Sequence, residues 1–473
     1  LARGTGQRHF TPGFKKGTKL AIEPVTRSVN EIIDQQPVGR FQIWTIVLCG
    51  IVLILDGFDA QTIGFLAPSI SQSLDIPLKV FGPIFSASLF GLMIAAMAAG
   101  PIADRWGRKW PVISSTLLFA VFSILTAHVT SFNQLLVFRF LTGIGLGGAM
   151  PNVVAIASEY SPRRLLPLFV AALFAGMPLG GVICGTASSV LIPTLGWRSV
   201  FYLGGILPLA VAVLSISKLP ESVRFLSARG GDPDRIARIM AHISPEFVNA
   251  SVEFPPSREK MRKGGPVKHL FTEGRAAGTI LLWIPFFMNL LILYFVVSWL
   301  PALLRESGMS VADGVTATTL FSLGGIAGSL TEGPLMNVFR SYWLLVVEFG
   351  LCAVLVASLG LITASFLLIA AVALLLGFFV TGAQAGINVL AASFYPTAIR
   401  STGLGWALGI GRIGSIVGPV LAGMMLSMGW QPRQILIAGA VPALIAALTV
   451  FLSRWVGGVV DAYRPEADVV ELV

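Results

Sequence analysis

Charge is what this sequence lacks. Only 12% of its 473 residues are Asp, Glu, Lys or Arg, against roughly 25% in a soluble domain, which excludes an ordinary water-soluble fold. Cysteine is nearly absent. Cys49, Cys184 and Cys352 stand far apart with no Cys-x-x-Cys pairing, so neither a disulfide nor a metal site is expected. His9, His128, His242 and His269 are dispersed, three of them outside any apolar run. A membrane enzyme would need a clustered nucleophile, base or metal set, and none is visible. Long polar stretches are also scarce. Outside the two tails the one long connection is the 58 residues of 218–275, too little for the output module of a membrane sensor. Residues 1–28 are polar and basic and lack the apolar core of a signal peptide.

What is present is hydrophobic. Apolar residues make up 55% of the chain and the mean hydropathy is +0.82. A spanning helix needs about 20 apolar residues, and twelve segments qualify: approximately 41–66, 80–103, 110–129, 133–157, 165–192, 199–217, 277–301, 311–336, 342–363, 366–392, 402–427 and 433–455. The expected fold class is an all-α membrane protein of twelve transmembrane helices. The net charge of +10 would suit nucleic acid, but its distribution argues otherwise. With the N-terminus inside, the short inner loops hold Arg105, Arg108, Lys109, Arg163, Arg164, Arg340 and Arg400, while the outer ones hold only Lys79, Arg198, Arg305 and Arg433. This is the positive-inside pattern, with both termini cytoplasmic. The partner is the lipid bilayer of the inner (cytoplasmic) membrane, not nucleic acid.

The two halves of the chain echo each other. Gly100-Pro101-Ile102-Ala103 recurs as Gly333-Pro334-Leu335-Met336, and Gly196-Trp197 as Gly429-Trp430, both offset by 233. Ala157-Ser158-Glu159-Tyr160 recurs as Ala392-Ser393-Phe394-Tyr395, offset by 235. Internal repeats of this kind build secondary transporters, with the site near the midplane between the halves. The organisation read from this is a polar tail (1–40), a six-helix bundle (41–217), a cytoplasmic linker (218–276), a second six-helix bundle (277–455) and a C-terminal tail (456–473). Gly143-Ile144-Gly145-Leu146-Gly147-Gly148 satisfies Gly-x-Gly-x-x-Gly, but no strand precedes it. Small residues four apart serve close helix packing in membranes, and the spacing recurs at Gly176/Gly180, Gly181/Gly185, Gly324/Gly328 and Gly414/Gly418. No cofactor is read from it.

One stretch of the first span is costly. Asp56 and Asp59, three residues apart, share a helix face, and one charge at the bilayer centre costs at least ~2.5–3.5 kcal/mol. They must line a wet cavity, pair with cations or bind protons. Asp59 and Arg139 each lie about 18 residues from the inner ends of their spans, or ~27 Å at 1.5 Å per residue. Arg139 therefore either pairs with Asp59 or snorkels to the outer surface six residues away. Arg412 lies ~15 Å into the eleventh span. Its fork geometry suits a carboxylate bidentately, and a structural tie to a carbonyl or an acid is the alternative. Glu348 is shallower and reads as snorkelling or structural, and Glu332 and Glu159 lie near inner helix ends.

The loop Gly100-Pro101-Ile102-Ala103-Asp104-Arg105-Trp106-Gly107-Arg108-Lys109 resembles the signature loop of the major facilitator superfamily. Within it, Asp56-Gly57-Phe58-Asp59, Ile63-Gly64-Phe65-Leu66-Ala67-Pro68, Ser298-Trp299-Leu300-Pro301, Pro220-Glu221-Ser222 and Gly411-Arg412-Ile413-Gly414 are similar to the aromatic acid:proton symporter family. The resemblance runs from about Arg40 to Trp455. It departs in the second-half loop, where Asn337-Val338-Phe339-Arg340 has lost the Asp-Arg pair.

The resemblance implies proton-coupled uptake of a small aromatic carboxylate by a monomer, with protons as coupling ion and no cofactor. The alternative is a facilitator of another organic solute, or an exporter. It implies a proton-coupling role for Asp56 or Asp59, since taking a carboxylate out of water penalises its charged form. Arg412 would hold the substrate carboxylate, with Arg139 as a second substrate-binding residue. Phe58 and Tyr294, with Phe65, Phe287 and Trp299, would offer aromatic walls. Asn289 and Asn388 would bond ring substituents or simply join helices. Gly100, Asp104, Arg105, Gly107, Arg108 and Glu159 would form the inner gate.

Overall fold

In the computed structural model the described residues are 33–34, 36–228, 233–243, 267–272, 274–362, 365–396 and 399–456. Residues 1–32 of the expected tail, much of the linker and 457–473 of the C-terminal tail lie outside them. The described residues form helices and turns, with no strand among them. A chain in lipid must satisfy its backbone groups internally, and a helix does so within one segment.

Before the linker the long helices are α1 (Arg40–Leu74), α2 (Phe81–Trp106), α3 (Lys109–Thr126), α4 (Phe132–Glu159), α5 (Leu166–Leu195) and α6 (Arg198–Lys218). The linker contributes α7 (Val223–Ala228) and α8 (Pro233–Ala241). After it come α9 (Ala276–Glu306), α10 (Val311–Val338), α11 (Ser341–Leu361), α12 (Phe366–Phe394), α13 (Arg400–Ser427), α14 (Pro432–Ala438) and α15 (Ala440–Val456). Among the described residues, eleven helices are long and apolar enough to cross a membrane. α14 and α15 together make one of them. The segment expected at 311–336 folds as the 28-residue α10, but its Thr, Ser, Gly, Asp313 and Glu332 dilute its hydropathy below that of the others. α1 runs past the expected stop at 66 to Leu74 with Pro68 inside it, because neighbouring helices compensate a proline in a membrane helix.

Packing pairs the helices identically on each side of the linker. α1 packs on α5, α2 on α4 and α3 on α6; α9 packs on α13, α10 on α12 and α11 on α15. Glycines make these approaches possible. A Cβ at Gly143 or Gly147 would collide with the backbone of Ser88 or Leu92, and one at Gly324 or Gly328 with that of Leu374 or Phe378. Gly196 and Gly429, partners in the sequence repeat, make the same turn, with φ of 77° and 82°.

The two sets of helices meet along α1/α9, α2/α13 and α5/α10. The contacts gather on the face opposite the chain ends. There Ser86 donates to the Ile416 carbonyl at 2.7 Å, Ser322 to Gln61 Oε1 at 2.9 Å, and Phe85 meets Trp299 edge-on at 5.2 Å. Gly82 rests against Gly423. One apolar core, including Phe65, Phe81, Trp299 and Phe321, runs through both sets on this far face. On the terminal face the core divides into two. One cluster joins Val153, Tyr160 and the linker's Met240, and the other joins Phe286, Phe349 and Tyr395. α2 and α13, in contact at Gly82 and Gly423, leave Gly100, Gly405 and Gly409 with open space. The molecule is shut on the far face and parted on the terminal face.

Candidate functional site

Three charged groups sit at the centre of the first helix set, Asp56, Asp59 and Arg139, each at most 1% exposed. Arg139 turns inward and does not snorkel. Its Nη2 lies 2.9 Å from Asp59 Oδ2 and its Nη1 3.3 Å from Oδ1. Nη2 also donates to the Asp59 carbonyl at 3.3 Å and to Ser88 Oγ at 3.2 Å, and the Phe201 ring centre is 5.9 Å from the guanidinium carbon. A guanidinium answered on this many sides by a carboxylate, a carbonyl and a hydroxyl is a paired buried charge. Asp59 is therefore committed.

Asp56 is not. Its Oδ1 is buried without a hydrogen-bond partner, and Arg412 is near enough for the two charges to interact. Arg412 reaches this level because Gly411 and Gly414 let α13 lie against the backbone of Phe286 and Phe287 on α9. Its Nη1 donates to Tyr294 Oη at 3.3 Å, and its Nη2 stands 4.0 Å from Met150 Sδ of α4, across the seam. The half-buried Arg412 thus faces the first helix set with Asp56 as its acidic neighbour. A small cleft lined by Ala60, Ser88, Leu146, Tyr294 and Ser298 lies beside the Asp59–Arg139 pair.

Other expected binding residues fall differently. Phe58 stands 200° around the helix from Asp56. It is 2% exposed and packs on Gly204 of α6, inside the first core and not on a cavity wall. Asn289 Nδ2 donates to the Val380 carbonyl at 3.1 Å and to Gln384 Oε1 at 3.0 Å, tying α9 to α12. The Oδ1 atoms of Asn289 and Asn388 and the Nε2 of Gln384 are buried without partners. Gln384 was not singled out from sequence. Its position four residues before Asn388, hence on the same face of α12, is the signal that points to it.

At the terminal end of α2, Arg108 pairs with Glu159. Asp104 and Arg105 are exposed and make no ion pair among the described residues. The expected cluster of Asp104, Arg105, Arg108 and Glu159 is reduced to one pair. Glu221 takes the central place instead. Its Oε1 accepts the backbone N–H of Arg108 at 2.7 Å, Lys109 at 3.2 Å and Ser222 at 2.9 Å, and Tyr160 Oη donates to the Glu221 carbonyl at 2.6 Å. Gly107 is required twice: its φ is +86°, and an added Cβ would strike the Glu221 carboxylate. Gly100 meets nothing.

The family model described as Major Facilitator Superfamily matches residues 49–367. The chain belongs to the major facilitator superfamily. It is 39% identical over 425 residues to the 4-hydroxybenzoate transporter PcaK of Pseudomonas aeruginosa, covering 90% of this chain and 95% of that protein. It is 38% identical to a gallate transporter of Pseudomonas putida, covering 89% and 94%, and 32% identical to a benzoate transport protein of Acinetobacter baylyi, covering 90% and 92%. These relatives are named as transporters of aromatic acids, not as enzymes, in line with the resemblance read from the motifs. Among solved structures, a bacterial Spinster homolog in an inward-facing, unoccupied conformation superposes with a TM-score of 0.67 at 17% identity, covering 88% of this chain and 98% of that one. A D-xylose-proton symporter gives the same score at 15% identity, with 87% and 97% covered. These two likenesses concern the fold. The chain is a multi-pass membrane transporter of this superfamily, and the parted terminal face is the open side of its facilitator fold.

Proposed function

We propose that this chain is a proton-coupled importer of an aromatic carboxylate of the benzoate or hydroxybenzoate type, working by alternating access. The observation that carries the reading is Asp56, buried and unpartnered on α1, facing Arg412 on α13 across the seam. While Asp56 is ionised it competes for the Arg412 guanidinium. A proton on Asp56 ends the competition, and the substrate carboxylate takes its place. Tyr294, bonded to Arg412, and the unpartnered atoms Asn289 Oδ1, Gln384 Nε2 and Asn388 Oδ1 supply polar contacts for ring substituents. Asp59 holds Arg139 and keeps α1, α2 and α4 in register, which leaves Asp56 as the proton carrier. The relatives named for 4-hydroxybenzoate, gallate and benzoate support the substrate class.

In this reading α10 is the twelfth span, the halves are 41–217 and 277–455, both termini are cytoplasmic, and a monomer works in the inner membrane. The terminal face is then the cytoplasmic one. The exposed Asp104 and Arg105 are the inner lock in its open state. Vesicles loaded by an inward proton gradient should accumulate labelled 4-hydroxybenzoate, and a protonophore should abolish the accumulation. Uptake indifferent to the protonophore overturns the coupling. Thermal stabilisation by sugars or non-aromatic acids, with none by aromatic acids, overturns the substrate class.

A further inference from the structure

The transport reading leaves one pair of buried acids unused. Glu332 on α10 lies six residues from that helix's terminal-face end, and Glu348 on α11 seven residues from its start. At 1.5 Å per residue both sit ~10 Å below the terminal face. Glu348 does not snorkel: each residue is 1% exposed. Glu332 Oε1 and the Leu345 side chain meet at one point beside Gly386, and Glu348, three residues on from Leu345, shares its face of the helix, so both acids turn into one niche. Glu332 Oε1 and both Glu348 oxygens have no hydrogen-bond partner among the described residues. The niche is shaped for them, because a Cβ on Gly386 of α12 would meet Glu332 Oε1 and the Leu345 side chain.

Among the described residues no cation forms an ion pair with these acids. The ion pairs among the described residues are Arg108–Glu159, Arg139–Asp59 and Arg163–Asp34, all in the first half. Around the acids lie each other, the Cys352 thiol one turn along α11, the Leu345 side chain, and the glycines Gly382 and Gly386 of α12. Two like charges this close in a dry niche cannot both persist, and such a pair titrates as a unit. One shared proton resolves the repulsion and supplies the missing donor at once. Arg412 and Asp56 belong to the seam and are not part of this cluster.

We propose that Glu332 and Glu348 form a second proton-binding site, holding one proton between two carboxyls inside the second half and separate from Asp56. The bonds are balanced: the protonated carboxyl donates to its ionised neighbour, and either residue can carry the hydrogen. The site lies near the open terminal face and on α10, the helix that also meets α5 and Gln61 across the seam.

Infrared spectroscopy of the full-length protein in lipid nanodiscs tests this without any transport measurement. At neutral pH the wild type should show the carbonyl stretch of a buried, protonated carboxyl amounting to one group per chain. E348Q and E332Q should each lose that band, since an amide then donates to the remaining carboxylate and no proton is needed. D56N should retain it. Two variants guard against a single misfolded one, and both keep the side-chain volume. Spectra in which the band survives E332Q and E348Q, or disappears in D56N, overturn the assignment. So does release of the proton on adding sodium alone, which would make the niche a metal-cation site. Loss of uptake with the band intact would count against the transport reading and leave this one standing.

Discussion

Asp59→Asn leaves the Arg139 guanidinium buried with its counter-ion gone. Breaking a buried pair on one side costs about 3–5 kcal/mol, so denaturation in detergent should show a loss of that order, with most of it recovered in D59L/R139M. Asp56→Asn removes no pairing and should fold as the wild type. It should retain substrate exchange and lose proton-driven accumulation in vesicles. Arg412→Lys keeps the charge but loses the planar fork. A hydrogen bond to a charged group contributes ~1.5–3 kcal/mol, so KM for the aromatic acid should rise about 10- to 100-fold in uptake assays. Depth along a helix was readable from sequence, and it brought Asp59 and Arg139 to one level. Rotation is readable too: a 200° offset from Asp56 turns Phe58 away from that face and into the core, where it is buried. The Glu332–Glu348 contact was not legible. Each acid is unremarkable alone, and only the packing of α10 on α11 brings them together.

At the scale of the helix, the far-face closure rests on Gly82 of α2 lying against Gly423 of α13. A Cβ on Gly423 would lie 3.2 Å from Gly82 Cα, and one on Gly82 would lie 3.5 Å from Gly423 Cα and 2.9 Å from the Pro419 carbonyl, so two cysteines here come within disulfide span with a small shift of the Pro419 segment. G82C/G423C should therefore cross-link under mild oxidant, stop uptake, and recover it with reductant. The native cysteines are all buried and unpaired and should not interfere. The repeat foretold this geometry in part: helix pairing and the Gly196 and Gly429 turns follow it. The role of Glu221 did not follow. Pro220-Glu221-Ser222 was visible as a motif, but nothing in a string of letters shows a carboxylate collecting two backbone N–H groups from a loop 113 residues earlier. Glu221→Ala should unseat that loop and lower thermal stability in detergent by ~1–3 kcal/mol for the stranded donors.

For the whole molecule, alternating access predicts that the terminal-face seam closes when the far face opens. Gly100, Gly405 and Gly409 face open space in this state. A maleimide should label G100C quickly in the resting transporter and several-fold more slowly with saturating 4-hydroxybenzoate and a proton gradient; unchanged labelling would contradict the closure. The class of fold, its pseudo-repeat and the buried acids were all present in the composition and spacing, whereas the conformational state was not, because one sequence encodes both.

The far-face seam carries a further consequence. Its polar contacts among the described residues are hydroxyls reaching a carbonyl and an amide, and glycine and aromatic surface meet beside them. No ion pair among the described residues crosses it. Such a seam is insensitive to ionic strength, while the terminal face, with Asp104, Arg105 and Arg340 exposed, lies open to screening by mobile ions. Salt concentration is thus a lever on one mouth of the transporter and not on the other.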